Sequence, residues 1–492
     1  MFPPYLFAYA ETLRAEPAVA ALRAIAGRMG ARLWLTGGTL RDVLLTRWPK
    51  DLDLAVDGDT TELGQRLEAA GHGRCVPLDP DTGTVRLALR GSQGIDWIDM
   101  VTLRAATIEG DLAARDFSVN AIALPLDDAF DTATAAFVDP TGGRADLHAR
   151  VLRLAGPTAL ADDPARIARG YRLAAQLGFS LDPETRSALR AHAALVARPA
   201  VERIARELDE LLAAPDPSTA LADMMADGVL PVLLPELAAG VGATQNGYHH
   251  LDVWGHTLQT VAELARLLRD PLARPEDTEL DACLRDDETR RVLAWAALLH
   301  DVGKPATRHE EHGRVRFIGH EREGARLTEA VTRRLRLSGR RARRVARLVA
   351  HHLRPMLLMA QGTDTVTVRA IDRLCRDLEE DLEGLFLLAL ADTRAARGPD
   401  RPADAEQRLL ALWNHVRTVR HRHIRPVDDG PPFLTGDDLV RRFGVPQGPL
   451  VGELLRALRD ARLAGEITTR QDVKHWLRAR LKGTSGGADK DS

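Results

Sequence analysis

The stretch Leu35-Thr36-Gly37-Gly38-Thr39-Leu40-Arg41-Asp42, followed by Lys50-Asp51-Leu52-Asp53, decides the fold of the N-terminal third. Residues 32–36 and 52–56 are short, apolar-rich runs that read as strands, and about 39–46 reads as a helix. Side chains at i and i+2 of a strand share a face, so Asp51 and Asp53 can converge on shared cations. Two divalent ions held there can activate an attacking hydroxyl and steady a leaving pyrophosphate. Gly37 and Gly38 let backbone N–H groups approach phosphate, and the helix adds its positive N-terminal end. Each motif alone also describes an ordinary turn or a chance Asp-x-Asp; together they favour a nucleotidyltransferase.

Residues 95–103 read as a further strand of that sheet, and a third carboxylate is expected there. Asp96 and Asp99 are three apart and face opposite ways, and Asp99 is the choice. Spacing equally allows Asp99 on a solvated strand face.

Gly37-Gly38-x-x-Arg41-Asp42 with Asp51-x-Asp53 resembles the first motif of bacterial-type (class II) tRNA nucleotidyltransferases and poly(A) polymerases. Three later segments resemble that family's next motifs in order. They are Arg115-Asp116-Phe117-Ser118-Val119-Asn120-Ala121, Asp139-Pro140-Thr141-Gly142-Gly143, and Asp162-Asp163-Pro164-Ala165-Arg166 with Arg169 and Arg172 beyond. The resemblance implies an α+β fold: a polymerase-β-like head with a small mixed sheet, then mainly helical neck/body, HD and tail domains. It implies Asp51, Asp53 and Asp99 as catalytic carboxylates, with Mg2+ held by Asp51 and Asp53. Gly37, Gly38, Arg41, Arg115, Asp116, Asn120, Asp163, Arg166 and Arg169 are the implied nucleotide-binding residues. In the residues' own terms, Asp116 can orient Arg115. Asp163 and Arg166, i,i+3 on one helix, can present an acceptor and a donor to a base edge. Asp162 as N-cap with Pro164 in the first turn also explains that segment as helix initiation.

Ala114 and Asp162 depart from the family's usual Arg and Glu. The connection Met100–Ala114 is short where complete CCA-adding members carry a longer loop, and members lacking it tend to add CC. CC addition from CTP to the tRNA 3′ end is therefore the reading, with CCA addition using ATP also, A addition or poly(A) synthesis as alternatives.

A second constellation follows. His300-Asp301 ends the apolar run Val292–Leu299, with Gly303 expected to stop the helix. His256 lies upstream; His320, His351-His352 and Asp392 lie downstream. Imidazoles plus carboxylates are the ligand set of hydrolytic metals. The order resembles an HD-type metal phosphohydrolase, which implies a divalent metal of unspecified identity on His256, His300, Asp301 and Asp392, with His320 and His351 as further ligands. In some tRNA nucleotidyltransferases such a domain implies 2′,3′-cyclic phosphodiesterase or phosphatase activity, while in other members it is inactive or structural. An RNA phosphohydrolase as the main activity is the rival reading.

The expected domains are a catalytic head (1–147), a neck/body (148–244), the HD domain (245–400), a helical RNA-binding tail (401–482) and a disordered terminus (483–492). Helices are read at Ala165–Leu177, Pro183–Ala197 and Val201–Ala213, and one starting near Leu450 in the tail. With 492 residues, a formal charge of −3 and 45% hydrophobic residues, the chain suits a multidomain enzyme without an overall basic coat. RNA affinity must come from local patches; the arginines between Arg333 and Arg347 are one candidate, a solvated helix face the other reading. Cys75, Cys283 and Cys375 lack metal-ligand spacing. The N-terminus shows no signal pattern, and no apolar run reaches membrane-spanning length. A cytoplasmic location is expected, with neither DNA nor membrane as a partner.

Overall fold

A computed structural model describes residues 4–79, 82–91, 94–130, 136–362 and 365–485. The chain forms two compact units, residues 1–238 with 334–336, and residues 239–333 with 337–492.

The first unit opens with α1 (Pro4–Ala15) and α2 (Pro17–Met29), then β1 (Arg32–Thr36), α3 (Gly37–Leu44) and β2 (Asp51–Asp57). After α4 (Thr60–Ala69) come β3 (Gly73–Asp79), β4 (Thr84–Leu89), β5 (Trp97–Thr102), α5 (Ile108–Ala113) and β6 (Ala123–Pro125). The six strands form one sheet in the order β3-β4-β5-β2-β1-β6. β2 and β5 run parallel and the other neighbours antiparallel, a mixed sheet as expected.

Period-two alternation gives this sheet one dry face, while the opposite face carries the carboxylates and, further along, a smaller apolar cluster that includes Trp34 and Ala55. Leu52, Leu54 and Val56 of β2, Ile98 and Met100 of β5, and Val85 and Leu87 of β4 join a core with Leu6, Leu13, Leu22 and Ile25 of the first two helices. The intervening residues Asp51, Asp53, Asp99 and Arg86 are only partly buried and belong to the opposite face. A one-residue slip in β2 would send both aspartates into the core, so packing fixes the carboxylates' face.

Beyond the sheet lie α6 (Gly143–Ala149), α7 (Ala159–Asp162), α8 (Ala165–Leu177), α9 (Pro183–Ala191) and α10 (Val201–Leu212). The helix expected over 183–197 ends at Ala191, and a 3-10 turn continues it over Ala193–Ala197. At the start of α8 the Asp163 carboxylate accepts the Ala165 N–H at 3.2 Å. Asp163, rather than Asp162, is therefore the capping carboxylate, while Asp162 takes the Thr158 hydroxyl at 2.8 Å.

Among its described residues the second unit is helical apart from a short hairpin, His309–Glu311 with Arg314–Arg316. Val253–Arg269, Asp287–Leu299 and Leu382–Ala395 carry its central packing, and Val292 through Leu299 are all buried. Much of the arginine-rich stretch is engaged in ion pairs: Arg341 with Glu288, Arg344 and Arg347 with Asp381, and Arg340 with Glu380. The stretch spans the end of the helix His320–Arg334 and the helix Gly339–His351, and these four arginines of the second helix are paired within the protein. The tail packs Leu439, Leu454, Leu458, Val473 and Leu477 into a separate small core, with its helix over Pro449–Leu463. Of the terminus read as disordered, residues 486–492 lie outside the described residues, and through Ser485 the backbone continues the helix Arg470–Ser485. Among the described residues no helix is long and apolar enough to cross a membrane.

Candidate functional site

The carboxylate face of the head is assembled by strand register. Asp51 lies opposite Trp97, and Asp53 opposite Asp99, across the parallel β2–β5 pair. Asp99 also lies opposite Arg86, whose guanidinium donates to both its oxygens at 2.7 Å. The Arg86 guanidinium also stacks over Trp97, 4.3 Å from the ring centroid. Sequence reading missed Arg86; its alternation with Val85 and Leu87 carried the signal.

The double glycine presses against this face. Asp53 Oδ2 accepts the Thr39 N–H at 3.0 Å, so the carboxylate sits at the first turn of α3. Gly37 has φ +65°, and a Cβ there would stand 3.1 Å from Asp53 Oδ2. Both the backbone conformation and the space favour glycine. The Thr39 hydroxyl joins the helix to the strand, donating to Asp51 O at 2.9 Å and accepting from Asp53 N–H at 2.7 Å.

Burial, then the neighbouring charges of Asp53 and Asp99, push the Asp51 carboxyl up to about 6. Burial raises Asp53 as well, against the opposing Thr39 hydrogen bond. Buried Asp51 Oδ1 has no hydrogen-bond partner. Like charges crowded together with an unpartnered acceptor fit a divalent cation, so the residues suit the metal that the sequence implies. A raised folded-state carboxyl costs stability above that value, and the cost fades as pH falls towards the ordinary carboxylate range. Metal-free Asp51→Asn is therefore expected to melt higher than the wild type above pH 6. That advantage should shrink from pH 6 to pH 4 in melting curves of the two proteins; an unchanged gap would mean that Asp51 carries no such burden.

A second network connects α3 to α8. Arg41 donates to Asn120 Oδ1 at 2.9 Å and pairs with Asp42. Asn120 donates to Asp116 at 3.1 Å, and Asp116 pairs with Arg169 at 3.2 Å, which reaches Glu207 at 2.9 Å. Burial alone would raise the Asp116 carboxyl, but Arg169, Asn120 and the Phe117 N–H hold it down to about 2. The sequence suggested Asp116 as the orienter of Arg115. Instead Arg115 pairs with Asp111 at 2.9 Å, one helical turn back, and Asp116 serves Arg169. Arg166 donates to the carbonyls of Arg115 and Ala159, both at 3.2 Å. Its buried Nε is without a hydrogen-bond partner, 3.8 Å from Asp163, which Arg203 contacts at 2.7 Å.

The histidine constellation forms in the second unit. His256 comes from the buried face of Val253–Arg269, a helix capped by Asp252. His300 and Asp301 follow Asp287–Leu299, and Asp392 lies on Leu382–Ala395. Gly303 does not end a helix by a left-handed turn. It is needed for close approach, since a Cβ there would stand 2.2 Å from His320 O. That contact brings the His300–Asp301 turn against the helix His320–Arg334.

Two groups of metal-capable side chains result: His256 with His300 and Asp392, and Asp301 with His320 and His352. The residue that joins is His352, not His351. The helix Gly339–His351 buries Val345, Leu348 and Val349, and the same stripe continues to position 352. His351 stands half-buried beside it. Burial lowers the His256 imidazole and takes His352 down to about 3, which keeps them neutral as metal ligands must be. Burial opposes protonation of His300, but the Asp301 charge beside it raises that imidazole. Burial would likewise raise Asp301, yet His300 and Lys304 hold it well below the usual carboxylate range. Lys304 Nζ lies 2.6 Å from Asp301 Oδ2 and also donates to Gln245 at 2.7 Å. His249, which the sequence reading passed over, packs its ring 4.4 Å from that of His256. The donor set fits a divalent metal. A cavity of about 600 Å³ opens beside it, lined by Asp301, His320, His352 and Asp392 together with Phe317 and Met356.

Three family models match parts of the chain. Residues 33–153 match the poly A polymerase head domain, 178–240 the probable RNA and SrmB-binding site of polymerase A, and 253–393 the HD domain. The A-adding tRNA nucleotidyltransferase of Deinococcus radiodurans is 36% identical over 92% of this chain and 96% of its own. The chain belongs to the class II tRNA nucleotidyltransferase family. The CC-adding tRNA nucleotidyltransferase of Thermus thermophilus is 34% identical over 92% of this chain and 95% of that relative. The CCA-adding enzyme of Bacillus stearothermophilus, solved in complex with CTP, shares the fold. Its TM-score is 0.62 at 20% identity, over 96% of this chain and 99% of that one. This family member is a nucleotidyltransferase of tRNA processing that carries an HD domain, and both of its sites are of metal-dependent kinds.

Proposed function

We propose that this tRNA nucleotidyltransferase extends the tRNA 3′ end without a template, adding cytidines from CTP. The reading rests on Asp51 and Asp53, adjacent on the polar face of β2, with the double-glycine turn packed onto Asp53. Asp51 and Asp53 hold Mg2+, with Asp99 steadied beside them by Arg86. When bound, Mg2+ supplies charge neutralisation for the triphosphate and acidifies the attacking hydroxyl. The RNA 3′-oxygen attacks the α-phosphate, its proton passes to solvent, and pyrophosphate leaves. Gly37, Gly38 and Arg41 steady the triphosphate; Arg115, Asp116, Asn120 and Arg169 shape the nucleotide site. Asp163 and the unpartnered Nε of Arg166 are the base-reading pair. ATP is a substrate only if the product extends beyond CC.

Cytidine addition is favoured by the compact connection after Asp99. It holds α5, capped by Thr107, with Asp111 buried and accepting the Arg104 N–H at 3.1 Å. A addition is favoured by the Deinococcus radiodurans relative. Labelled CTP and ATP, offered separately to tRNAs ending before CCA, after C and after CC, separate the two. Two cytidines added, with no adenosine on the CC end, is the expected result; efficient adenosine addition to that end would replace CC by A or CCA addition.

We further propose that the HD centre is an active hydrolase of phosphate esters at RNA 3′ ends, including 2′,3′-cyclic phosphates. His256, His300, Asp301, His320, His352 and Asp392 hold its metal, and the adjoining cavity admits the substrate. The cytoplasm, where tRNA ends are repaired, is the proposed location.

A further inference from the structure

The cavity beside the histidine cluster has walls that the metal ligands leave unused. Among the cationic side chains lining it, Lys304 pairs with Asp301 at 2.6 Å, Arg316 with Glu311 at 3.2 Å, and Arg408 donates to the Met359 carbonyl at 3.1 Å. Arg401 differs: its buried Nε has no hydrogen-bond partner. Thr393, only 3% exposed, lines the same cavity, and its hydroxyl is likewise without a partner. Buried donors without acceptors cost free energy, which a ligand carrying acceptors restores. Backbone contacts fix where Arg401 stands. Gly398 N–H donates to Tyr248 O and Asp400 N–H to Gly247 O, both at 2.9 Å. A Cβ on Gly398 would stand 2.2 Å from Gly247 O, so glycine is what lets the two segments meet. Thr393 adjoins Asp392 on the helix Leu382–Ala395, whereas Arg401 lies on the loop after it. Phe317, Ile318, Met356 and Leu357 give the cavity an apolar side, with Ile318 71% and Leu357 59% exposed. An aromatic ring and open apolar side chains sharing a cavity with a cation suit a nucleobase and its phosphate.

Resting on the hydrolase reading of this centre, we propose that Arg401 binds a second phosphate of the substrate, the internucleotide linkage one step behind the reacting RNA 3′ end. The reacting phosphate meets the ligand cluster beside Thr393, and the terminal base covers the apolar side. The cluster carboxylates have partners of their own, Lys304 for Asp301 and His256 for Asp392, so the Arg401 charge is left for the ligand. A guanidinium matches a phosphodiester, whose two free oxygens can take parallel N–H donors. The end of an RNA chain carries this second charge, and a mononucleoside 2′,3′-cyclic phosphate does not. Arg401 thereby makes the centre selective for RNA ends over free cyclic nucleotides.

The test compares kcat/KM for ring opening of cytidine 2′,3′-cyclic phosphate with that for a cytidine dinucleotide ending in the same group, using the full chain. The wild type should favour the dinucleotide by about tenfold or more, as one hydrogen-bonded charge pair allows. Arg401→Gln should lose that preference, and Arg401→Lys, which keeps the charge, should retain part of it. A dinucleotide with a neutral methylphosphonate linkage reads the same contact on the unaltered protein, and it should forfeit the preference there too. A wild-type ratio near unity, a ratio unchanged by Arg401→Gln, or full preference for the neutral linkage would overturn the subsite, while ring opening itself would uphold the hydrolase reading. Ring opening of neither substrate by the wild type would overturn both.

Discussion

Asp53→Ala is expected to lower nucleotide incorporation by about a thousandfold or more, since ion stabilisation of the transition state is worth several kcal/mol and each tenfold costs about 1.4. Asp53 holds a cation and also accepts the Thr39 N–H, so alanine removes a ligand and loosens the start of α3. Asp53→Asn separates these roles. It keeps an oxygen for Thr39 but loses the charge, and it should be about as inactive as alanine while melting at least as high as the wild type. Primer extension on tRNA with labelled CTP, alongside melting curves, reads both. Near-wild-type incorporation by either variant would remove Asp53 from the chemistry.

The second large effect belongs to the other unit. His300→Ala should abolish opening of a 2′,3′-cyclic phosphate at an RNA end, in which water adds to phosphorus and one ribose oxygen leaves with a proton. His300 Nε2 lies 3.4 Å from His256 Nε2 and 3.2 Å from Asp301, so its loss strips a donor and unbalances the buried Asp301. The head carries its own carboxylates on a separate compact unit, so cytidine incorporation should stay within about twofold. His351→Ala serves as the matched control, because His351 stands outside both ligand sets. Retained ring opening in His300→Ala would make the histidine cluster a structural one.

What the sequence revealed, and what it hid, follows the range of the physics involved. Alternation is local, so the face shared by Asp51 and Asp53 could be read from a few residues, as could the opposite facing of Asp96 and Asp99. Partners across strands are not local. Nothing near Asp99 announces that Arg86 takes both its oxygens, because that pairing depends on the β4–β5 register. Likewise Asp116 has Arg115 as its chain neighbour but finds Arg169 across the fold. The choice between His351 and His352 was decidable in principle, since Val345, Leu348 and Val349 already mark the buried stripe that reaches 352. His249 had no periodic run to place it, and only the packing beside His256 brings it in. Gly303 misled because glycine after an apolar helix suggests a stop; its actual constraint comes from the His320 carbonyl, remote in sequence.

Crystals of the wild-type chain soaked with CTP and Mn2+ test the central claim most directly. Anomalous scattering should place manganese between the Asp51 and Asp53 carboxylates and the triphosphate, with the phosphates against the Gly37–Gly38 turn. Nucleotide bound away from that turn, or manganese that touches neither aspartate, would contradict the account.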